Sequence, residues 1–216
     1  MPKVAEVRER LLNDIAAGTF SPGERLTIDD LAARYSASHM PVREVLRELQ
    51  GSGVLAPGPG RSMHLTGLDV ETVSNLFATR SAIEVMLTRE AARRCSSEDG
   101  AVLRGIEEDL ETAVALGDNP GVLAANRRFH SHIYAIADNP EAVLIVERHW
   151  LLLSLLWTQV GFGAERYSGV VNDHRHLLTA LAANDVEAAG VLMGAHVVKA
   201  KFELLERLSK QAAEPS

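Results

Sequence analysis

The chain has 216 residues but only one cysteine, no apolar run long enough to cross a bilayer, and no excess of positive charge. Each absence excludes something. Cys95 has no second thiol in the chain to pair with, so an internal disulfide is impossible and a reducing cytoplasm is the expected location. The longest apolar run, Trp150 to Trp157, falls far short of the roughly 20 residues a membrane helix needs. The N-terminus carries Lys3, Glu6, Arg8, Glu9 and Arg10 where a secretory signal would have its apolar stretch, so no export is expected. There is no internal repeat and no low-complexity tract, and disorder is expected only in a tail from Gln211 to Ser216.

The net charge of −7 argues against nucleic acid at first sight, because phosphate neutralisation favours basic surfaces. Its distribution answers the objection. Residues 1–67 hold eight basic and eight acidic side chains, whereas residues 68–216 hold 14 and 21, so the whole negative excess lies in the second part. A neutral segment can still present a basic face.

What is present divides the chain in two. Val4, Val7, Leu11, Leu12 and Ile15 fall at helical spacing before Gly18, and Ser21-Pro22-Gly23 marks a turn. Thr27 is a plausible N-cap for a short helix through Asp29, Asp30, Leu31 and Arg34. After the turn Ser36-Ala37-Ser38, Pro41 fits the first turn of a third helix that carries Val42, Val45, Leu46 and Leu49 inward. Val54-Leu55 and Met63-His64-Leu65, separated by Pro57-Gly58-Pro59-Gly60, have the form of a small β-hairpin. Helix, helix, turn, helix, hairpin is the order of a winged helix-turn-helix. From Asp69 on there is no strand signal: helices are expected near 69–95, 97–117, 121–138, 140–159, 165–183 and 185–210. The fold class is therefore mainly α, with a winged helix-turn-helix over 1–67 and an all-α antiparallel bundle of about six helices over 68–210.

A helix-turn-helix sends the polar side and N-terminal end of one helix into the major groove. Ser38, His39, Arg43 and Arg47 occupy those positions on the third helix. Free N–H groups beside Ser38 suit a phosphate, Arg43 can reach a phosphate or a guanine edge, and Arg61 projects from the hairpin tip. Taken alone, Arg43 and Arg47 with Glu44 and Glu48 also describe an ordinary solvated helix face.

In the second part, Asn126 and His130 lie four apart on one helix, with His174 and His196 on two later ones. Three imidazoles and an amide oxygen form a reasonable shell for Zn²⁺ or Ni²⁺ with positions open to a ligand oxygen. His132 and His176 are turned about 200° away from their neighbours and are left out. Eight histidines in a chain of this length need no special explanation, so spacing alone favours surface or core roles.

Two sets of residues carry a resemblance. Pro22-Gly23-Glu24-Arg25-Leu26, Leu31-Ala32, the run from Pro41 to Leu49 (PVREVLREL) and Gly53-Val54-Leu55 resemble the signature of GntR-family repressors. Arg80-x3-Glu84, Asn126-Arg127-Arg128-Phe129-His130, Asn139, Asp173-His174-x6-Leu181, Asn184-Asp185 and His196 resemble the FCD effector domain of the FadR subfamily. The resemblance implies a homodimer on a pseudo-palindromic operator. It implies a divalent metal held by Asn126, His130, His174 and His196, and a small carboxylate effector held by the metal and by Arg80. The departures fall where contacts would be made: His39 stands where arginine is usual, Asn126 where aspartate is common, and Arg61-Ser62 where the wing usually has Arg-Gly.

The expected function is thus a DNA-binding regulator, expected to repress until an organic acid releases it. A metal-sensing regulator, in which the cation is the signal, is the alternative. A metal-dependent hydrolase is the remote one. No glutamate lies at a convincing general-base spacing, and hydrolysis leaves residues 4–66 unexplained, so no enzyme is expected.

Overall fold

A computed structural model of the protein describes residues 2–16, 19–20, 23–59, 62–66, 69–160 and 164–213. Its first part opens with α1 (Val4–Ala16), whose Val7, Leu11 and Ile15 are buried. α2 (Ile28–Tyr35) starts at Thr27, whose side-chain oxygen accepts the backbone N–H of Asp30 at 3.2 Å. Such a cap is worth about 1 kcal/mol. Ser36, at φ 52°, ends α2 in the left-handed region and turns the chain into α3 (His39–Gly51). α3 buries Pro41, Val42, Val45, Leu46 and Leu49, the spacing of a helix with one inner face.

The expected hairpin is present as β2 (Leu55–Pro57) and β3 (Met63–Leu65), with Leu55 opposite Leu65 and Pro57 opposite Met63. A third strand, β1 (Arg25–Leu26), pairs antiparallel with the other side of β3, giving the order β1-β3-β2. The sequence reading placed only a turn and a helix start there, because two residues are too few for any alternation to register. At the tip, a Cβ on Gly58 would stand 2.1 Å from the His64 ring, so a larger residue there would have to displace that ring. The Ser62 hydroxyl donates to Pro59 O at 2.8 Å, which shows how a serine is accommodated at that position of the wing.

The second part consists of α4 (Val70–Arg94), α5 (Ser97–Leu116), α6 (Asn119–Ala137), α7 (Pro140–Val160), α8 (Ala164–Ala182) and α9 (Val186–Ala213). Their ends are written in local chemistry. Ser96 and Asp99 form a capping box on α5, and Gly117 at φ 67° ends it. Asp118 caps α6 ahead of Pro120, and Asp138 closes it at φ 53°. Asn139 caps α7, accepting from Ala142 N at 3.2 Å, while Asn184 donates to Ala92 O at 2.8 Å. α5 packs on α6 and α8, and α8 on α9, around Leu110, Ala113, Val122, Ala125, Tyr167 and Val170. No helix among the described residues is long and apolar enough to cross a membrane.

One expectation is corrected. Gln211, Ala212 and Ala213, expected in a disordered tail, continue α9. The Lys210–Glu206 pair at 2.6 Å and two alanines, the best helix formers, extend the last turns. By contact the chain falls into two compact units, and α7 is divided between them. One compact unit comprises residues 1–72 with 148–160, and the other 73–147 with 161–216. Within the first unit, Arg148 and Leu152 of α7 lie against Gly53, whose φ of 80° and lack of a side chain admit them.

Candidate functional site

The exposed side of α3 carries His39, Met40, Arg43, Glu44, Arg47 and Glu48. The helix is pinned from behind by its apolar face, and the Arg8 guanidinium holds the Glu48 carboxylate at 2.6 Å. That contact removes one of the two acids from competition for Arg43 and Arg47. Among the described residues neither of these arginines has a hydrogen-bond or ion-pair partner, so both are available to an outside anion. Ser38 occupies the N-cap without a side-chain cap bond, leaving the first N–H groups of α3 open to an acceptor. His39 sits 3.3 Å from Asp29, and Met40 beside it is 71% exposed. Arg61 of the expected wing contact lies outside the described residues.

Behind α3, α1 and α2 are tied by Asp14. Its Oδ2 accepts Arg34 Nε at 2.7 Å and the Tyr35 hydroxyl at 2.9 Å. Burial pushes the Asp14 carboxyl up, but the bonds from Arg34 and Tyr35 outweigh it and leave its pKa below the ordinary carboxylate value. The result is a rigid mount for an exposed cationic face.

The second unit gathers its polar side chains inward. His130 of α6, His174 of α8 and His196 of α9 are all buried, and one ring nitrogen from each lies within 4.8 Å of the others. Nitrogens bound to one Zn²⁺ at about 2.0–2.1 Å would stand roughly 3.3 Å apart at tetrahedral angles, so a small contraction would close them on an ion. Each imidazole has a carboxylate behind it. His174 Nδ1 is 2.7 Å from Glu107 Oε2, His196 Nδ1 is 3.3 Å from Asp173 Oδ2, and His130 Nδ1 is 3.5 Å from Glu84 Oε2. Nδ1 held by an acceptor fixes the tautomer and leaves Nε2 as the ligand atom, the arrangement that supports metal-binding histidines. Phe129 stacks on His174 at 4.0 Å and 5°, which sets that ring's plane. Among the described residues the buried Nε2 of His174 and Oδ1 of Asn126 have no hydrogen-bond partner, as expected of atoms that could take a cation. The donor set fits a borderline divalent metal.

Electrostatics keeps the rings in the ligand form. Burial lowers His130 to about 4 and His196 to about 3, against the partial opposing pull of Glu84 and Asp173. Both are neutral at pH 7, as metal ligation requires. Burial alone would raise Glu84, but the Arg80 charge and hydrogen bonds from His130 and Tyr134 hold it at about 2. Arg80 Nε meets Glu84 Oε1 at 2.5 Å, with both side chains buried. The pair therefore belongs to the core polar network and not to the helix surface, and Tyr134 donates to the other Glu84 oxygen at 2.6 Å.

The fold thus brings His130, His174 and His196 together, with Asn126 one turn before His130 and Arg80 joined to the group through Glu84. Sequence reasoning gave no role to Glu107 or to Tyr134. The signal for Glu107 was an acid among the buried α5 positions Leu103, Glu107 and Leu110, where an unpaired carboxylate would be costly. Asn139 and Asn184, part of the motif that carried the resemblance, are helix-end residues here rather than ligands.

With this geometry in hand, the comparisons decide the family. The model for bacterial regulatory proteins of the gntR family matches residues 3–65, and the FCD domain model matches residues 75–199. The chain belongs to the GntR family and carries an FCD domain. Among relatives of this GntR protein, the HTH-type transcriptional regulator McbR of Escherichia coli is 25% identical over 184 residues, covering 84% of this chain and 83% of its own. The Nta operon transcriptional regulator of Aminobacter aminovorans is 26% identical over 193 residues, covering 87% of each chain. The solved structure of E. coli McbR/YncC superposes with a TM-score of 0.80 at 22% identity, over 96% of this chain and 99% of that one. That likeness shows a shared fold. As a GntR regulator, the chain is a DNA-binding transcription regulator and not an enzyme, and its FCD domain belongs to a class that binds small-molecule effectors.

Proposed function

We propose that this regulator represses transcription as a homodimer on a pseudo-palindromic operator, and that a small carboxylate effector, held with a divalent metal in the histidine cluster, releases it. The observation that carries the reading is the set of three buried imidazoles within 4.8 Å of one another, each backed by its own carboxylate. Asn126, His130, His174 and His196 would hold Zn²⁺ or Ni²⁺. When bound, the cation supplies positive charge and open coordination positions for a carboxylate oxygen. The neutral amide of Asn126 in place of an acid leaves one more unit of positive charge on the site, which favours an anionic effector over water.

Arg80 brings a second cation to the cluster and is kept there by Glu84, so an entering carboxylate meets a positioned guanidinium. On the DNA side, Ser38 and the first N–H groups of α3 take a phosphate, Arg43 and Arg47 reach phosphates or guanine edges, and Arg61 serves the wing. His39, a weaker donor than arginine, lowers base discrimination at its position. Release requires that the effector bind one arrangement of the dimer more tightly than the other.

The test is metal content per chain by mass spectrometry on untagged protein purified without chelator, beside His174→Ala. About one Zn or Ni per chain, lost in the variant, is expected; no metal in the parent overturns the site. Fluorescence anisotropy on its own promoter DNA with a panel of small mono- and dicarboxylates then reads the effector. Loss of operator binding on adding metal alone would make the cation the signal.

A further inference from the structure

The outward side of α3 is not uniformly cationic. With about 3.6 residues per turn, Met40, Glu44 and Arg47 fall opposite the buried Val42, Val45, Leu46 and Leu49, while His39 and Arg43 lie to one side of that stripe. Met40 stands in the first turn, two residues after the N-cap Ser38, and is 71% exposed. Pro41 and Val42 make the packing of that turn, so Met40 is a large apolar side chain held in water without contributing to the core. Its neighbours on the helix give the position a chemical meaning. Phosphates attract the cations at the side of the stripe and repel Glu44, so the stripe that Glu44 shares with Met40 is the part turned toward base edges. A thioether is at most a weak acceptor and gains little from the polar atoms of those edges. The apolar group that the major groove does present is the 5-methyl of thymine.

We infer that Met40 is a specificity-determining residue of this regulator, its side chain packing on the 5-methyl group of a thymine in the operator. The N-terminal end of the second helix of a helix-turn-helix is the end that contacts base edges, and Met40 is in its first turn. An unbranched, polarizable side chain can follow the contour of a methyl group at the groove floor. The contact removes apolar surface of both partners from water, so thymine is selected over a base that lacks the methyl. The inference rests on the reading of α3 as the DNA-contacting face and names one base that this face selects.

The test begins with operators selected by the full chain from random duplexes. Each recurrent thymine is then replaced in turn by deoxyuridine, which lacks only the 5-methyl, and fluorescence anisotropy is read for the parent, Met40→Ala and Arg43→Ala. At one recurrent position the parent is expected to bind the deoxyuridine duplex about 4-fold more weakly for each methyl removed. Met40→Ala is expected to bind the thymine duplex more weakly than the parent does and to lose the distinction between the two duplexes. Alanine is the best helix former and Met40 is exposed, so far-UV circular dichroism should stay unchanged. Equal binding of thymine and deoxyuridine duplexes by the parent at every position overturns the inference, as does a thymine preference that survives in Met40→Ala. In either case the α3 reading stands if Arg43→Ala weakens binding to both duplexes. Selection of no sequence, or an Arg43→Ala variant that binds as the parent does, overturns both.

Discussion

His39 and His174 are the same residue type in two regions that use it in opposite ways. The His39 side chain is 61% exposed beside a solvated Asp29, on a helix whose other cations, Arg43 and Arg47, find no partner among the described residues. His174 is fully buried, stacked on Phe129 and hydrogen-bonded to Glu107. In the first region the polar groups are left unsatisfied in water, where this is inexpensive, and the missing partner is the phosphate of DNA. In the second they are desolvated, where an unpaired group costs a few kcal/mol, so every imidazole has a carboxylate behind it. A surface that reads a polyanion keeps its charges free; a pocket that holds a small ligand fixes them first.

That contrast can be broken from the buried side with the largest effect. Glu84→Ala strips the carboxylate from a buried Arg80 and is expected to cost about 3–5 kcal/mol in urea unfolding, whereas Arg47→Ala at the exposed face should cost almost nothing in the same assay. Equal losses would end the distinction. On the DNA side the order reverses. Arg43→Ala is expected to weaken operator binding by about 1–3 kcal/mol and to lower the salt dependence if its contact is a phosphate, with metal content unchanged.

Glu107→Gln keeps the shape behind His174 but not the charge, and is expected to reduce metal affinity about 10–100-fold in a competition titration. Unchanged affinity would reduce Glu107 to a packing role. Thr27→Ala removes the α2 cap and should cost about 1 kcal/mol without touching metal or effector.

Acid offers a comparison without mutation. His130 and His196 have folded-state pKa values of about 4 and about 3, below the ordinary 6.5, so the folded state disfavours their charged forms. Their contribution is complete above pH 6.5 and is lost as the pH falls toward 4 and 3. Asp14, which ties α1 to α2, is lowered from 3.8, so its contribution persists until still more acid conditions. Thermal melts of chelator-treated protein between pH 7 and 4.5 should therefore show the bundle failing first. A melting temperature that does not move over that range would mean the imidazoles are not held neutral.

Much of this was legible in the sequence because it is written locally. Thr27 marks a helix start by a short-range hydrogen bond, the turn formers near Gly117 and Asp138 fall at the ends of the expected helices, and the periodicity of Val42, Val45, Leu46 and Leu49 marks an inner face. β1 was not legible, since only pairing with β3 makes two residues a strand. Nor was the burial of Arg80 and Glu84: their i, i+4 spacing looks the same on a surface as in a core, and only packing against Tyr134 and His130 removes the water.

By itself, then, the sequence determined the elements, their order, the exposed cations of α3 and the histidines available to a metal, because propensity, capping and amphipathic period act over a few residues. The tertiary structure alone decided that residues 130, 174 and 196, far apart in the chain, meet within 4.8 Å, that Glu107 and Asp173 stand behind two of them, and that α7 is divided between two units. Those facts depend on which faces are desolvated together, and desolvation is a property of the packed chain, not of any segment of it.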